Sequence, residues 1–456
     1  MLRRLSSRLV ARPAHFILLR GYSSSFAAAK HGQAAFAVAK SDATLVRPEL
    51  ETPDGSYYLS PLDQAIPFTM KTIYCYDKSG PGVGDALKRS LAKALVHYYP
   101  LAGSMAISPQ GNFMVDCTKK GVPFVEAEAD FAMKELEDVR IPNPETTRNL
   151  VYDDPLAKSL LEVPLMTAQV TRFKCGGFTL GVGVSHSLAD GVSGMNLVNS
   201  WAEITRGDPV STPPFLDRTI LKARVPPRPK YPYDDFVQIV DTSDMESLYK
   251  GGMVSKAFVF DSEKIGAIKG AVLSEGQAGK CSSFAAVASL IWRARSKALG
   301  MKPNQLTKLR IMVELRNRFE NTRIPEGYFG NVVATTGCLA TAGELTERPV
   351  SYAVGKIQEA VSSVTEDYAW SRIDYVEKYR PPLMSVGTLV VSSWARFEYG
   401  VANFGWGDPV QFGCGDLSPE LCLFMPEGEG KKGIVVVLAL PPAAMATFEE
   451  EVAVKG

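Results

Sequence analysis

Apolar residues recur at helical spacing over residues 85–98, where Leu87, Leu91, Leu95 and Tyr98 share one face and Pro100 follows. The spacing predicts an amphipathic helix that includes His97, whose plain role is structural. Residues 163–173 and 178–184 read instead as two strands, joined across Cys175, Gly176 and Gly177, which suit a hairpin. The period then returns to helical, with Val192, Met195, Leu197, Val198 and Trp201 marking a helix over 191–206. Residues 185–191 therefore occupy a strand-to-helix corner, a place where a scaffold can hold a reactive group. Before these elements an extended segment begins near Leu45. Beyond them the pattern predicts a helix over 281–299, strands over 309–315, 332–339, 389–393 and 434–440, and a closing helix over 442–452. Strands and helices mixed in both halves give an α/β or α+β fold class.

Between the halves, Pro209, Pro213, Pro214, Pro226, Pro227, Pro229 and Pro232 disfavour both helix and central strand. The stretch 209–235 reads as a stiff crossover between an N-terminal domain at 41–208 and a C-terminal domain at 236–456. A length of 456 residues fits that division, since one core rarely organises so long a chain. Hydrophobic residues make up 46% and charged ones 22%, a globular composition. The net charge of +1 gives no general pull toward nucleic acid or acidic membranes. The longest apolar run, 434–446, is interrupted by Pro441 and Pro442 and falls short of the ~18 residues of a membrane span. Seven scattered cysteines, with no C-x-x-C pair and no histidine at ligand spacing, argue against a zinc site and against a secreted disulfide framework. The first forty residues differ from the rest. Arg3, Arg4, Arg8, Arg12 and Arg20 precede Ser23, Ser24 and Ser25, with no acidic residue before Asp42, so 1–40 reads as a leader, either a transit peptide or a disordered extension.

The chain has four histidines, and only His186 falls at a strand-to-loop junction. An imidazole there can take a proton near neutral pH. Ser185, Ser187, Ala189, Gly191, Ser193 and Gly194 surround it, and their small size admits a substrate close to the ring. Asp190 either orients the imidazole or caps the following helix, and the structural role is preferred. Ser185 and Ser187 are poor nucleophile candidates, because no G-x-S-x-G elbow is present and a serine next to its base on a strand points to the opposite face. Asn403, Phe404, Gly405, Trp406 and Gly407 form a second unusual string. It reads as a close-packed turn whose aromatics plug a core, and the Trp406 indole N–H could alternatively meet a developing oxyanion. Arg316 and Arg318, with Arg293, Arg295 and Lys297 before them, supply cations that a phosphate-bearing acyl carrier would need.

The strings SHSLADG at 185–191 and NFGWG at 403–407 together resemble the BAHD acyltransferases, a plant family that moves acyl groups from coenzyme A thioesters to alcohols or amines. The resemblance extends over LSPLDQ at 59–64, SLAKALVHYYPLAG at 90–103, PPFLDR at 213–218, WRARSKAL at 292–299 and PEGYFGN at 325–331, and it leaves out the leader. It implies two similar chloramphenicol-acetyltransferase-like domains with mixed sheets, flanking helices and an active-site channel at their interface. His186 then matches the family's general base. Asp190, Gly191, Asn403, Gly405, Trp406 and Gly407 match structural supports of the site, and Ser282, Ser283, Arg316 and Arg318 match coenzyme A contacts. The co-substrate implied is acyl-CoA, with no metal and no permanently bound cofactor. Asn403 departs from the family's usual Asp and removes an ionic partner for an arginine, so reduced rigidity is expected there rather than lost activity. TLVVSSWARF and KALGMKPNQLTKL resemble the branch that transfers hydroxycinnamoyl groups to ω-hydroxy fatty acids and fatty alcohols, with the shikimate and quinate transferases as the alternative. A thioesterase-like hydrolase and a non-catalytic ligand-binding relative are the other readings. The resemblance further implies a cytoplasmic monomer acting on small molecules, the leader offering mitochondrion or plastid as the alternative address.

Overall fold

All seven residues of the strand Ile434–Leu440 are buried, because the strand lies inside a sheet with both faces covered. Val436, Leu438 and Leu440 face a core shared with Ile291 and Trp292 of the helix Ser283–Ala298. Val435, Val437 and Ala439 face the opposite way, into a core built mainly by the first half of the chain. Period-two alternation thus puts one strand between two cores and leaves no polar face on it.

The computed structural model describes residues 37–453, apart from 250, 276–279, 382–386, 398–401 and 429. Most of the expected leader, with His15 and His31, lies outside the described residues. Among the described residues a first mixed sheet runs in the order Val38–Lys40, Val122–Ala129, Met166–Phe173, Phe178–Ser185, Thr69–Tyr76 and Gln411–Cys414, and Thr44–Val46 also pairs with Val122–Ala129. A second runs in the order Val254–Phe260, Ile434–Leu440, Leu421–Pro426, Thr388–Ser393, Leu306–Glu314 and Val333–Thr341. Each mixes parallel and antiparallel pairs: Val122–Ala129 is parallel to Met166–Phe173, and Leu306–Glu314 is parallel to Thr388–Ser393. Helices Val83–His97 and Gly191–Arg206 pack together on the first lobe, and Ser283–Ala298 packs with Val350–Ser362 and Pro442–Val452 on the second. The mixed α/β class is as the sequence patterns predict. No described helix is long and apolar enough to cross a membrane.

Three arrangements differ from the expectations. Val38–Lys40, inside the stretch assigned to the leader, is an edge strand paired with Val122–Ala129, since the arginine-rich signal ends at Arg20 and the chain has become strand-competent before residue 40. Gln411–Cys414 belongs by position to the second half yet pairs antiparallel with Thr69–Tyr76 in the first sheet. The proline-rich crossover, read from its composition as stiff, is in addition pinned to both lobes. Arg218 forms a fully buried ion pair with Asp63 of the first lobe at 3.1 Å. Arg372 of the second lobe donates to both oxygens of buried Asp235, at 2.8 and 2.7 Å.

Candidate active site

The strand Phe178–Ser185 ends at the corner and the helix Gly191–Arg206 starts from it. Asp190 is the N-cap of that helix, its Oδ1 accepting from the backbone N–H of Ser193 at 2.9 Å. The same carboxylate, 1% exposed, is gripped from the second half of the chain. Arg316 donates to Oδ2 at 2.9 Å and to Oδ1 at 3.1 Å, and the backbone N–H of Val332 donates to Oδ2 at 3.0 Å. Burial opposes ionisation, but Arg316 and the surrounding N–H groups prevail and hold the Asp190 carboxyl below its usual range. Asp190 is thus a structural link between the halves and not the imidazole's partner.

His186 instead faces Asn331. The Asn331 side-chain nitrogen donates to Asp63 Oδ1 at 2.9 Å and to the His186 carbonyl at 2.6 Å. Both partners can only accept, so the amide oxygen is the atom turned toward His186 Nδ1, at 3.1 Å. The network therefore assigns the imidazole proton to Nδ1 and leaves the lone pair on Nε2. Asp63 is fixed in turn by Arg218 and by the backbone N–H of Ser60, which donates at 2.8 Å. Arg218 also donates to the Ser187 carbonyl at 3.0 Å, so a single buried cation fastens both Asp63 and the backbone next to His186. The His186 backbone N–H donates to the Phe68 carbonyl at 2.7 Å, and the half-exposed Phe68 ring stands 5.0 Å from the imidazole. Burial pushes the imidazole below its ordinary value, only partly offset by its own backbone, Asp190, Asn331 and Asp63. At neutral pH it is a neutral base with a fixed tautomer.

None of Asn331, Asp63 and Arg218 was singled out from the sequence, although each lies in one of the three short strings PEGYFGN, LSPLDQ and PPFLDR. A polar residue in an otherwise apolar or proline-bounded string was the available signal. Ser187 is buried and donates to the Ile66 carbonyl at 3.4 Å, in keeping with its exclusion as a nucleophile. His97 is exposed at the end of its helix.

The NFGWG string lies at the other end of the first sheet. Trp406 meets Phe178 edge-on at 5.7 Å, and Phe404 meets Trp201 at 5.5 Å. Phe178 begins the strand that His186 follows, so roughly 27 Å of strand separates the two. The alternative of Trp406 as an oxyanion donor is therefore corrected: its indole is a plug. Gly405 and Gly407 adopt φ of +102° and +103°, which a side chain would strain. Asn403 bonds in both senses, accepting from the Gly405 N–H at 2.8 Å and donating to Asp408 at 2.9 Å, while its carbonyl accepts from Arg206.

The expected coenzyme A contacts separate into two groups. Ser282 and Arg318 border one cavity of about 560 Å³, together with Phe284 and Gln358. Ser282 also caps the helix Ser283–Ala298, accepting from the Ala285 N–H at 3.1 Å, and Ser283 is that helix's first residue. Arg316 is a correction, because its guanidinium is engaged by Asp190 and, at 3.0 Å, by Glu314. Arg293, Arg295 and Lys297 are likewise committed, to the Arg348 and Thr346 carbonyls, to Tyr249 and to Glu451.

The family model described as the Transferase family matches residues 36–454. The chain belongs to this family, the BAHD acyltransferases, and is an acyl-CoA-dependent O-acyltransferase with acyl-CoA as its co-substrate. It is 45% identical to omega-hydroxypalmitate O-feruloyl transferase of Arabidopsis thaliana, over 91% of this chain and 92% of that protein. It is 42% identical to fatty alcohol:caffeoyl-CoA acyltransferase of the same plant, over 90% and 97%. Its fold is similar to that of vinorine synthase, with a TM-score of 0.69 at 23% identity over 90% of this chain and 96% of that one. It is also similar to F. graminearum TRI101 in complex with coenzyme A and deoxynivalenol, with a TM-score of 0.67 at 17% identity over 87% and 97%. Both likenesses are to two-domain chloramphenicol-acetyltransferase-like folds.

Replacing Asp190 by Ala strands Arg316 without its buried partner and removes the helix cap. Chemical denaturation is expected to show a loss of about 3–5 kcal/mol. A loss below about 1 kcal/mol would contradict the linking role.

Proposed function

We propose that this chain transfers a hydroxycinnamoyl group from its coenzyme A thioester to the hydroxyl of an ω-hydroxy fatty acid or fatty alcohol, with His186 as general base. The two relatives above 40% identity carry that acyl class and those acceptors in their names. The observation that carries the mechanism is the Asn331 contact, which leaves His186 Nε2 as the basic atom. Nε2 takes the acceptor's hydroxyl proton as that oxygen bonds to the thioester carbonyl carbon. The tetrahedral intermediate collapses, the C–S bond breaks, and the imidazolium returns the proton to the departing thiolate. In the imidazolium state Nδ1–H still donates to Asn331, whose amide is held by Asp63, so the ring keeps its orientation through the cycle. Ser282 and Arg318, which border the 560 Å³ cavity, are the residues we assign to the coenzyme A side.

In the same reading the chain works as a monomer in the cytosol, without nucleic-acid partners. Seven free cysteines, six of them buried, suit a reducing compartment. Light scattering of the purified chain and fluorescent fusions with and without residues 1–36 check both points; a dimer mass, or organelle fluorescence from the full chain, overturns the respective point.

Release of free thiol from feruloyl-CoA is expected to require an added long-chain alcohol, and His186→Ala is expected to lower kcat about 10²–10⁴-fold. Thiol release that is independent of acceptor would instead make the protein a hydrolase. The base acts in its neutral form, and burial disfavours the cation, so activity persists as pH falls until the lowered pKa is reached. The acid limb of the kcat/KM profile is expected below pH ~6.5, and a limb above it would contradict the burial of the imidazole.

A further inference from the structure

Beneath the helix that starts from the His186 corner lies a narrow, mainly apolar slot that the reaction as derived does not use. Its floor is two neighbouring strands: Met70 on one and Val182 and Val184 on the other point into it, with Met70 directly opposite Val184. Val182 and Val184 share one face of the strand that ends at Ser185, so the slot lies toward the end of the strand from which the His186 corner leaves. Its roof is the helix Gly191–Arg206, which presents Gly191 and Gly194 there.

Three side chains, Phe397, Met70 and Met195, fill what the glycines leave. A Cβ added at Gly191 would lie 2.5 Å from the Phe397 ring, so this ring occupies the end nearest the corner that carries His186. A Cβ at Gly194 would lie 3.2 Å from the Met70 methyl. Met195 borders the slot as well, and the free space that remains is about 20 Å³, the scale of one water molecule. Unbranched thioethers give way at small cost, so the slot can widen. Its polar groups are already engaged: the Tyr74 hydroxyl donates to the Met195 sulfur at 3.4 Å and the Thr72 hydroxyl donates to the Val182 carbonyl at 3.5 Å. With those hydroxyls engaged, the rest of the lining is aliphatic and aromatic carbon, Trp394 and Phe412 included, which suits a hydrocarbon chain.

We infer that the slot takes the polymethylene chain of the acceptor, with the chain's hydroxyl at His186 Nε2 and with Phe397 as the ring it displaces. The inference rests on the proposed long-chain acceptor and adds where that chain lies and which residues select it. Phe397 and Gly194 become specificity-determining residues, and the aromatic acyl group is left to the other side of the imidazole.

The test is kcat/KM with feruloyl-CoA across primary alcohols from butanol to hexadecanol, for the wild-type chain, Gly194→Leu and Phe397→Ala. Wild type is expected to gain roughly fourfold per added methylene while the slot fills. Gly194→Leu occupies the slot and is expected to flatten that rise, so that hexadecanol falls toward butanol. Phe397→Ala opens the entrance and is expected to raise kcat/KM for the longer alcohols at least several-fold. Wild-type dependence on chain length that both variants retain overturns the slot while leaving the proposed function standing. A wild-type chain that accepts no long alcohol overturns both. If Gly194→Leu fails to fold, as its melting curve would show, Phe397→Ala decides alone, and unchanged kcat/KM for hexadecanol overturns the inference.

Discussion

One buried ion pair holds the corner that carries His186 together: the Asp190 carboxylate from the first half and the Arg316 guanidinium from the second. Taking both charges out of water is costly, and an apolar pair of similar volume could serve stability equally well. What the ionic pair adds is register. A carboxylate that must also accept from the Ser193 and Val332 N–H groups has one position, and that position fixes where the helix Gly191–Arg206 starts and where residues 330–332 cross it. With the crossing segment fixed, Asn331 arrives at His186. The pair therefore acts on the chemistry only through placement, in contrast with the catalytic triads in which a carboxylate touches the imidazole.

A second buried charge works beside it. Arg218 neutralises Asp63, and Asp63 is the acceptor that turns the Asn331 amide the right way round. If the amide were reversed, its NH2 would face Nδ1 and favour the opposite tautomer, with the proton on Nε2. Four segments far apart in sequence thus agree on the location of one proton. Such over-determination is what a site needs in order to hold its geometry while two large substrates come and go.

Much of this was legible in the sequence. The hairpin, the corner, the capping role of Asp190 and the helix that follows are local features, and local periodicity and capping chemistry report them directly. The strand Ile434–Leu440 and the helix Pro442–Val452 were equally plain, being bounded by proline. What could not be read was long-range. Gln411–Cys414 is four residues with little alternation, and only its partner strand makes it part of a sheet. Arg316 was assigned to coenzyme A because it stands among several cations and matches a family contact, and nothing nearby in the chain announces that its partner lies 126 residues earlier. Asn331 was invisible for the same reason, since a lone amide has no spacing rule. The plug reading of Trp406 was open from the sequence, and the alternative of an oxyanion donor stayed beside it because a donor's chemistry is visible in sequence while its distance from the reacting atom is not.

The edge strand Gln411–Cys414 has a consequence for how the molecule is made. The first sheet is contiguous in sequence up to its border, yet that border is completed by a strand close to the chain's end, and the nearby Tyr76 hydroxyl finds the Ala402 carbonyl 326 residues away. During synthesis the early lobe must wait with the Thr69–Tyr76 edge unpaired, and an open edge is an invitation to other chains. Nascent copies emerging side by side from one message are most exposed to wrong pairing over that interval, a hazard set by the topology alone.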